Sequence, residues 1–126
     1  MDSNKRLLVI DDKYSHLLLL QTTLEEKGYK VITINNGSDA LKIIEEDTNI
    51  DAILLDIMMP DIDGYQILDK LRTNGGKLPI PVIIVSAKAD TNSIKKAMDK
   101  GAFGYITKPL NIQEVRNKIN SALQEE

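Results

Sequence analysis

Short apolar runs alternate along the chain with longer stretches of helical spacing. Each run has four residues and is almost continuously apolar, which is typical of parallel strands covered on both faces. The runs are Leu7–Ile10, Val31–Ile34, Ala52–Leu55, Val82–Val85 and Phe103–Ile106. After each run, apolar residues recur with helical periodicity and predict a helix. The predicted helices cover about Ser15–Lys27, Ser38–Asp47, Tyr65–Arg72, Thr91–Lys100 and Ile112–Leu123.

Residues that favour helix ends agree with this division. Gly28 and Gly101 each follow a lysine, and glycine after a basic residue suits a helix C-terminus. Ser38, Asp90 and Asn111 are predicted N-caps, because their side chains can accept hydrogen bonds from the first turn. Repeated strand–helix units imply right-handed crossovers between parallel strands. The sequence therefore predicts an α/β fold, a doubly wound five-stranded parallel sheet with helices on both faces.

The length of 126 residues predicts a single domain over residues 1–126, with an ordered core of about residues 5–123. The sequence contains no cysteine, which excludes disulfides and thiolate metal sites and fits a reducing compartment. No apolar run is long enough to cross a bilayer or to serve as a signal peptide. We therefore expect a cytoplasmic location without membrane insertion.

Charge and aromatic content argue against nucleic-acid binding. The formal net charge is −3, and the lysines and arginines are scattered rather than clustered. The chain has 4 Tyr, 1 Phe and no Trp, too few to build a platform on which bases stack. We expect no direct contact with nucleic acid.

Chemically active side chains follow the ends of the predicted strands. Asp11 and Asp12 come after the first run, Asp56 after the third, Ser86 after the fourth, and Lys108 just after the fifth. In open parallel sheets, ligands bind outside the carboxyl ends of the strands. The sequence therefore predicts that three carboxylates, a hydroxyl group and an amine converge at one edge of the sheet.

Converging carboxylates repel one another unless a cation lies among them. Hard oxygen ligands with room for water suit Mg²⁺. Lys108 supplies a compact positive charge near a phosphoryl oxygen, and Ser86 can donate a hydrogen bond to another. Asp56 follows the predicted central strand, between the metal and the amine, and is placed to attack phosphorus. These residue types together predict a site of phosphoryl transfer.

The same residues, in this order and spacing, resemble the receiver domain of bacterial response regulators in two-component signalling. The resemblance covers the chain from Lys5 to Leu123 and implies a flavodoxin-like fold of the receiver type. The matching segments are Val9-Ile10-Asp11-Asp12, Leu54-Leu55-Asp56-Ile57-Met58-Met59-Pro60-Asp61-Ile62-Asp63-Gly64, Val85-Ser86-Ala87 and Gly101-Ala102-Phe103-Gly104-Tyr105-Ile106-Thr107-Lys108-Pro109.

The resemblance implies roles for individual residues. Asp56 would accept a phosphoryl group from the phosphohistidine of a sensor histidine kinase or a histidine phosphotransfer protein, or from acetyl phosphate. Mg²⁺ would be held by Asp11, Asp12, Asp56 and the backbone carbonyl of Met58. Lys108 would contact the phosphoryl oxygens, and its peptide bond to Pro109 is a candidate for the cis form.

The resemblance also implies a switch. Ser86 would move to bond the phosphoryl group and Tyr105 would rotate inward, which changes the surface presented to a downstream protein. That protein is not identified by the sequence, and a homodimer is a further implied possibility. The domain would act as a signalling switch and catalyse only its own phosphorylation and dephosphorylation. Met58 cannot orient an attacking water, so we hypothesise slow loss of the phosphoryl group.

Other classes of function fit less well. A phosphohydrolase of the haloacid-dehalogenase type needs a second Asp two positions after its nucleophile, where this chain has Met58. A flavodoxin that binds FMN must hold a phosphate in its first loop. In this chain that loop contains Asp11 and Asp12, whose negative charges would repel the phosphate. A receiver-like binding domain without phosphorylation is a third possibility, against which the complete set of acidic, hydroxyl and amine groups argues.

Four residues have simpler interpretations. Asp11 and Asp12 could cap the first helix, although Asp56 and Lys108 make a metal site the favoured interpretation. Gly64 is expected to adopt a backbone conformation that other residues resist, in a turn before the third helix. The only histidine, His16, is expected to face solvent early in the first helix rather than to carry a phosphoryl group.

Overall fold

The computed structural model describes residues 5–47, 49–73 and 80–124. Ten elements alternate along this part of the chain, each strand being followed by a helix. The strands are β1 (Arg6–Ile10), β2 (Lys30–Ile34), β3 (Ala52–Leu55), β4 (Val82–Ser86) and β5 (Gly104–Thr107). The helices are α1 (Tyr14–Glu25), α2 (Gly37–Glu46), α3 (Gly64–Thr73), α4 (Thr91–Asp99) and α5 (Ile112–Leu123).

The strands form one parallel sheet in the order β2-β1-β3-β4-β5. The second strand, β2, lies at the edge of the sheet beside β1, and the later strands β3, β4 and β5 follow one another on the other side of β1. This reversal leaves a crevice beside the carboxyl ends of β1 and β3, where α/β proteins of this kind place ligands. The predicted doubly wound α/β fold is confirmed.

The two faces of the sheet bury separate apolar clusters, because alternate residues of a strand point to opposite faces. Leu8 of β1 and Ile53 of β3 belong to a cluster that includes side chains of α2, α3 and α4. Leu7 and Leu54 belong to the other cluster, with side chains of α1 and α5. The helices therefore cover both faces, two on one side and three on the other.

Several helix ends follow the sequence prediction. Gly28 and Gly101 have φ angles of 96° and 98°, a conformation that glycine adopts more readily than other residues. Asp90 and Asn111 are N-caps of α4 and α5, and their side chains accept hydrogen bonds from the backbone. These two N-cap predictions are confirmed.

The predicted N-cap of α2 is wrong. The N-cap is Asn36, whose side chain accepts a hydrogen bond of 2.8 Å from the backbone N–H of Asp39. Ser38 lies inside the first turn, where both its backbone N–H and its hydroxyl group donate to the carboxylate of Asp61. A carboxylate from a distant loop thus satisfies the helix start that Ser38 was expected to cap.

The start of α1 also differs from the simpler interpretation. Its N-cap is Lys13, which makes no capping hydrogen bond through its side chain. Asp11 accepts a 2.9 Å hydrogen bond from the backbone N–H of Lys13, but neither Asp11 nor Asp12 occupies the cap position. The two carboxylates therefore lie in the loop between β1 and α1.

Two strands are placed differently from the apolar pattern. β5 begins at Gly104, one residue later than predicted, because Gly104 is the residue that pairs with Ile83 of β4. Phe103 precedes the strand: its backbone N–H donates to the carbonyl oxygen of Val82, and its side chain is exposed. β2 is an edge strand and only half-buried, so its apolar run does not indicate burial on both faces. Within the described ranges, no helix has the length and apolar character needed to span a bilayer.

Candidate phosphoryl-transfer site

Strand register brings the chemically active residues to one edge of the sheet. Ile10 and Leu55 are paired in β1 and β3, so the residues that follow them, Asp11 and Asp56, lie side by side. The backbone N–H of Asp56 donates a 2.9 Å hydrogen bond to the carbonyl oxygen of Ile10. Asp56 therefore begins the loop after the central strand, with the acidic β1–α1 loop next to it.

The fourth and fifth strands supply the other side of this edge. Ser86 pairs with Thr107 across β4 and β5. The backbone N–H of Lys108 donates a 2.9 Å hydrogen bond to the carbonyl oxygen of Ser86, which fixes the start of the β5–α5 loop. The peptide bond between Lys108 and Pro109 is cis. Lys108 therefore enters the crevice from the side opposite Asp11.

The carboxylates of Asp11, Asp12 and Asp56 form a cluster in which one oxygen of each lies within 4.8 Å of the others. Asp11 and Asp56 are buried, and Asp12 is exposed at the surface. Opposite ligands of an octahedral Mg²⁺ are about 4.2 Å apart, since each bond is about 2.1 Å. The cluster therefore fits one Mg²⁺ ion after small side-chain movements, with Asp12 at the side open to water.

Lys108 connects two of these carboxylates. Its ammonium nitrogen lies 2.8 Å from Oδ2 of Asp11 and 3.1 Å from Oδ2 of Asp56, and its side chain is largely buried. A cation between two buried carboxylates offsets their repulsion. The amine thus lies beside the Asp56 carboxylate, in contact with both buried acids.

The ionisation of Asp56 is disfavoured by its surroundings. Burial raises the pKa of the Asp56 carboxyl group above its ordinary value, and the nearby negative charge of Asp11 acts in the same direction. The backbone N–H of Met58, 3.1 Å from Oδ1, and the charge of Lys108 oppose the rise but do not cancel it. A further cation near the three carboxylates would favour the ionised form of Asp56.

The Asp56 carboxylate is reached through a cleft of about 560 Å³. Its lining includes Met58, whose side chain is half-exposed. The lining residues come from four loops or helix starts and are Asp12, Lys13, His16, Asp56, Met58, Ala87, Lys108 and Pro109. The cleft gives the buried carboxylate an opening toward solvent.

Ser86 and Tyr105 meet at the loop that follows β4. The Ser86 side chain is buried, and its hydroxyl oxygen accepts a 3.2 Å hydrogen bond from the backbone N–H of Lys88. The Tyr105 hydroxyl group donates to the backbone carbonyl of Lys88 at 2.7 Å. Burial raises the pKa of the half-buried Tyr105 phenol. Lys88 therefore links the two proposed switch residues through its backbone.

The expectation that His16 faces solvent is wrong. Its Nδ1 atom lies 2.8 Å from Nζ of Lys108 and 3.2 Å from Oδ2 of Asp11. The signal was present in the sequence: Leu20 and Leu24, both buried in α1, follow His16 at successive intervals of four residues. His16 therefore continues the buried side of the helix into the crevice.

The reason for a glycine at position 64 also differs from the expectation. In the described part of the chain, positive φ angles occur at Gly28 and Gly101 but not at Gly64. A Cβ atom at Gly64 would lie 2.8 Å from the carbonyl oxygen of Asp56 and 2.8 Å from Cα of Ile57. The glycine allows α3 to begin directly against the backbone that carries Asp56.

Asp61 lies in the loop between β3 and α3, and its contacts were not predicted from the sequence. Its carboxylate accepts hydrogen bonds from the backbone N–H groups of Gly37 and Ser38, at 3.1 and 3.0 Å. These bonds lower the pKa of Asp61 far below its ordinary value. The loop after β3 is therefore anchored to the start of α2, as expected for an anion at a helix N-terminus.

Comparison with known proteins places the chain in a family. The family model described as the response regulator receiver domain matches residues 7–120. The alkaline phosphatase synthesis transcriptional regulatory protein PhoP of Bacillus subtilis is 38% identical over 121 residues, covering 96% of this chain and 49% of PhoP. The response regulator SaeR of Staphylococcus aureus (strain USA300) is 37% identical over 117 residues, covering 93% of this chain and 50% of SaeR.

A plant relative and two solved structures agree. The two-component response regulator ARR10 of Arabidopsis thaliana is 36% identical over 113 residues, covering 89% of this chain and 20% of ARR10. A response regulator receiver domain from Clostridium thermocellum has a TM-score of 0.85 and 31% identity, with 94% of each chain covered. A two-component response regulator from Clostridium difficile has a TM-score of 0.89 and 27% identity, covering 97% of this chain and 98% of its own.

The chain belongs to the response regulator receiver domain family. Its sheet order and alternating helices are those of the flavodoxin-like receiver fold. Receiver domains are signalling domains of two-component systems that interact with sensor kinases. The chain spans about half the length of PhoP and SaeR, and about a fifth of ARR10.

Proposed function

We propose that the chain is a phosphoacceptor switch, in which a phosphoryl group passes in a Mg²⁺-dependent step from a phosphohistidine to Asp56. The donor is a sensor histidine kinase or a histidine phosphotransfer protein. One observation carries the proposal. The ammonium group of Lys108 lies between Asp11 and Asp56, beside three clustered carboxylates and at the base of an open cleft.

Asp56 is the proposed nucleophile. A carboxylate oxygen forms a bond to phosphorus while the bond between phosphorus and the donor breaks, and the donor leaves with that electron pair. With acetyl phosphate as donor, the products are the aspartyl phosphate and acetate. Lys108 neutralises negative charge on the phosphoryl oxygens, from a position fixed before the donor arrives. The cleft restricts the approach of the donor to one face of Asp56.

The carboxylates of Asp11, Asp12 and Asp56 are the proposed ligands of Mg²⁺, together with the backbone carbonyl of Met58. When bound, the metal would supply positive charge that helps to neutralise the phosphoryl oxygens. The donor set suits this ion, because it consists of hard oxygen atoms and one side remains open to water. The exposed position of Asp12 provides that open side.

Ser86 and Tyr105 are the proposed switch residues. A phosphoryl oxygen on Asp56 offers the Ser86 O–H an acceptor, and a rotation of Ser86 toward it withdraws Oγ from the backbone N–H of Lys88, from which it now accepts a hydrogen bond. The same backbone segment holds the Tyr105 hydroxyl group. A movement of Ser86 therefore changes the loop against which Tyr105 packs, and this alters the surface offered to a downstream protein or a second copy.

Exposed apolar side chains on α1 and at the rim of the cleft support a protein as phosphodonor. Tyr14 and Leu18 lie one turn apart on α1 and are 75% and 48% exposed, and Met58 at the rim is 51% exposed. Apolar side chains left in solvent beside a reactive group favour contact with a partner protein. The half-exposed thioether of Met58 has no acid–base capacity, which disfavours a phosphohydrolase of the haloacid-dehalogenase type.

The proposal is tested by incubating the chain with Mg²⁺ and acetyl phosphate and measuring the intact mass. We expect a single phosphoryl adduct that chelator suppresses and that Asp56→Asn abolishes. Asp12→Ala should strongly reduce the adduct, whereas Asp99→Asn, an exposed change on α4, should leave it unchanged. An adduct that persists in Asp56→Asn would place the acceptor elsewhere. No adduct on the unmodified chain would favour a binding domain without phosphorylation.

A further inference from the structure

We propose that His16 is a positioning residue for Lys108, whose ammonium group it holds toward Asp56 by accepting a hydrogen bond at Nδ1. The inference rests on the proposed phosphoryl transfer to Asp56 and assigns a part in it to the only histidine of the chain. The carrying observation is the 2.8 Å distance between Nδ1 of His16 and Nζ of Lys108.

The Lys108 ammonium has a complete set of partners. A protonated lysine has three N–H donors and no acceptor. Three acceptors surround Nζ of Lys108: Oδ2 of Asp11 at 2.8 Å, Nδ1 of His16 at 2.8 Å and Oδ2 of Asp56 at 3.1 Å. Each proton can therefore point to a different group, and this fixes the amine against rotation and withdrawal.

The short contact determines which ring nitrogen carries the proton. An ammonium nitrogen can only donate, so at 2.8 Å the Nδ1 atom must offer its lone pair and the ring proton must lie on Nε2. Nδ1 also lies 3.2 Å from Oδ2 of Asp11. In this tautomer, Nδ1 of His16 and Oδ2 of Asp11 both accept hydrogen bonds from Lys108, and there is no hydrogen bond between the two.

His16 does not belong to the proposed metal site. Within the described part of the chain, the group of possible ligands consists of Asp11, Asp12 and Asp56 and does not include the His16 ring. The ring is on the amine side of the crevice, where its side chain is 29% exposed and lines the cleft. Its contact is therefore with the cationic residue that a phosphoryl group must meet.

A neutral acceptor suits this position during the reaction. When Asp56 becomes an acyl phosphate, one of its oxygens turns into a weakly accepting ester oxygen, and a phosphoryl oxygen takes the third proton of Lys108. Asp11 and His16 retain the other two protons and keep the amine in place. An apolar side chain at position 16 would leave one donor without its partner, in a largely buried site.

Two substitutions at position 16 distinguish the role of the hydrogen-bond acceptor from that of the side chain's bulk. In His16→Asn the side-chain oxygen takes approximately the place of Nδ1, whereas His16→Leu retains bulk without an acceptor. Thr22→Val, at an exposed position of the same helix, is the control. Phosphorylation by acetyl phosphate with saturating Mg²⁺ is followed over a range of donor concentrations at a fixed pH.

We expect His16→Leu to lower the rate at saturating donor by about tenfold, the effect of one hydrogen bond to a charged group in a partly exposed site. His16→Asn should recover all but about twofold of that rate, since it restores the acceptor. Equal rates for His16→Leu and the unmodified chain, or equal losses in both variants, would overturn the inference. An unmodified chain that forms no adduct would instead refute the proposed function.

A spectroscopic measurement tests the contact without any phosphodonor. Because the chain has one histidine, nitrogen-15 labelling of histidine gives signals from His16 alone. With Mg²⁺ present, we expect an unprotonated Nδ1 and a protonated Nε2. The Nδ1 signal should shift in Lys108→Met but not in Lys95→Met, which changes an exposed lysine on α4. A protonated Nδ1, or a signal that Lys108→Met does not move, contradicts the assignment.

Discussion

The hydroxyl group of Tyr105 lies 2.7 Å from the backbone carbonyl oxygen of Lys88, to which it donates a hydrogen bond. The same residue, Lys88, donates its backbone N–H to the hydroxyl oxygen of Ser86. One peptide segment thus connects the end of β4, close to the proposed acceptor Asp56, with a half-buried aromatic side chain of β5. In the proposed switch, a rearrangement of Ser86 changes the support of Tyr105 through this segment.

Replacing Tyr105 by Phe removes the hydrogen bond and keeps the ring. We expect the free energy of unfolding to fall by about 1 kcal/mol, the usual net contribution of a hydrogen bond with a partly buried donor. Urea unfolding measures the change. Tyr14→Phe serves as the control because Tyr14 is 75% exposed, and it should have no effect. Equal stability of Tyr105→Phe and the unmodified chain would show that water replaces the carbonyl without loss.

Asp56→Asn is expected to stabilise the metal-free protein at neutral pH. Burial raises the pKa of Asp56, so the folded protein ionises this group less readily than the unfolded chain does. The neutral Asp56 side chain contributes to the stability of the folded protein at a pH below the pKa of this group in the unfolded chain. This contribution is lost as the pH rises through the pKa of Asp56 in the folded protein. At neutral pH the charged Asp56 carboxylate therefore opposes folding. Its replacement by the uncharged amide of Asn should raise the free energy of unfolding by about 1 kcal/mol.

The pH dependence and the metal distinguish this effect from ordinary packing. In chelator, the gain of Asp56→Asn should be present at neutral pH and should disappear below about pH 4, where carboxyl groups are protonated in both states. Added Mg²⁺ should stabilise the unmodified chain and narrow the difference, since it binds the folded form. A gain that is the same at both pH values would refute the ionisation argument. Asp99→Asn controls for loss of an exposed charge.

Asp61→Asn tests the anchor between the loop after β3 and the start of α2. The carboxylate accepts two backbone hydrogen bonds and one from the Ser38 hydroxyl group, which lower its pKa. A carboxyl group whose pKa is lower in the folded protein stabilises the fold at a pH above its pKa in the unfolded chain. That stabilisation is lost as the pH falls through its pKa in the folded protein. We expect the variant to melt a few degrees lower at neutral pH.

Acid should reduce the difference in melting temperature between Asp61→Asn and the unmodified chain, progressively below about pH 4. Asp39→Asn provides a comparison on the same helix, because Asp39 also lies in the first turn of α2 and is exposed. A larger loss for Asp39→Asn than for Asp61→Asn at neutral pH would show that general charge at the helix start matters more than the anchor.

The sequence predicted the order of strands and helices because apolar periodicity and helix-ending glycines are local signals. Gly28 and Gly101 show this directly, since each has the positive φ angle expected after a helix. It also predicted that Asp11, Asp56 and Lys108 meet, because parallel strands direct their carboxyl ends to one edge. That topological rule needs no knowledge of side-chain contacts.

The errors arose where a distant residue overrides a local preference. Ser38 has the properties of an N-cap, but Asp61 reaches the helix start from the β3–α3 loop and shifts the cap to Asn36. His16 was expected to face solvent early in the first helix. The spacing to Leu20 and Leu24 indicates the side of α1 on which it lies, but its partner Lys108 is 92 positions away and cannot be identified from local sequence.

Met58 is expected to prolong the life of the acyl phosphate. Its half-exposed side chain lines the cleft and cannot orient an attacking water by hydrogen bonding. We expect Met58→Asn to accelerate dephosphorylation by about tenfold, a modest share of what positioned polar groups contribute. Decay of the intact-mass adduct after donor removal measures the rate. Met98→Asn, on an exposed part of α4, is the control, and equal decay of the two variants would contradict the prediction.

Lys108→Met should have opposite effects on metal binding and on phosphorylation. The ammonium competes with Mg²⁺ for the charge of Asp11 and Asp56, from distances of 2.8 and 3.1 Å. Its removal leaves the two carboxylates without a cation, so the affinity for Mg²⁺ should rise about tenfold by Coulomb attraction in a partly screened site. Titration calorimetry on the metal-free chain measures this affinity.

The same variant should lose most of its phosphorylation by acetyl phosphate even when Mg²⁺ saturates it, since no amine then neutralises the phosphoryl oxygens. This combination of tighter metal binding and slower transfer separates the loss of a specific charge from unfolding of the site, which would weaken both. Lys95→Met should change neither quantity, because Lys95 pairs with Asp99 on the exposed side of α4. Weaker Mg²⁺ binding in Lys108→Met would mean that Lys108 holds the carboxylates together rather than competing for them.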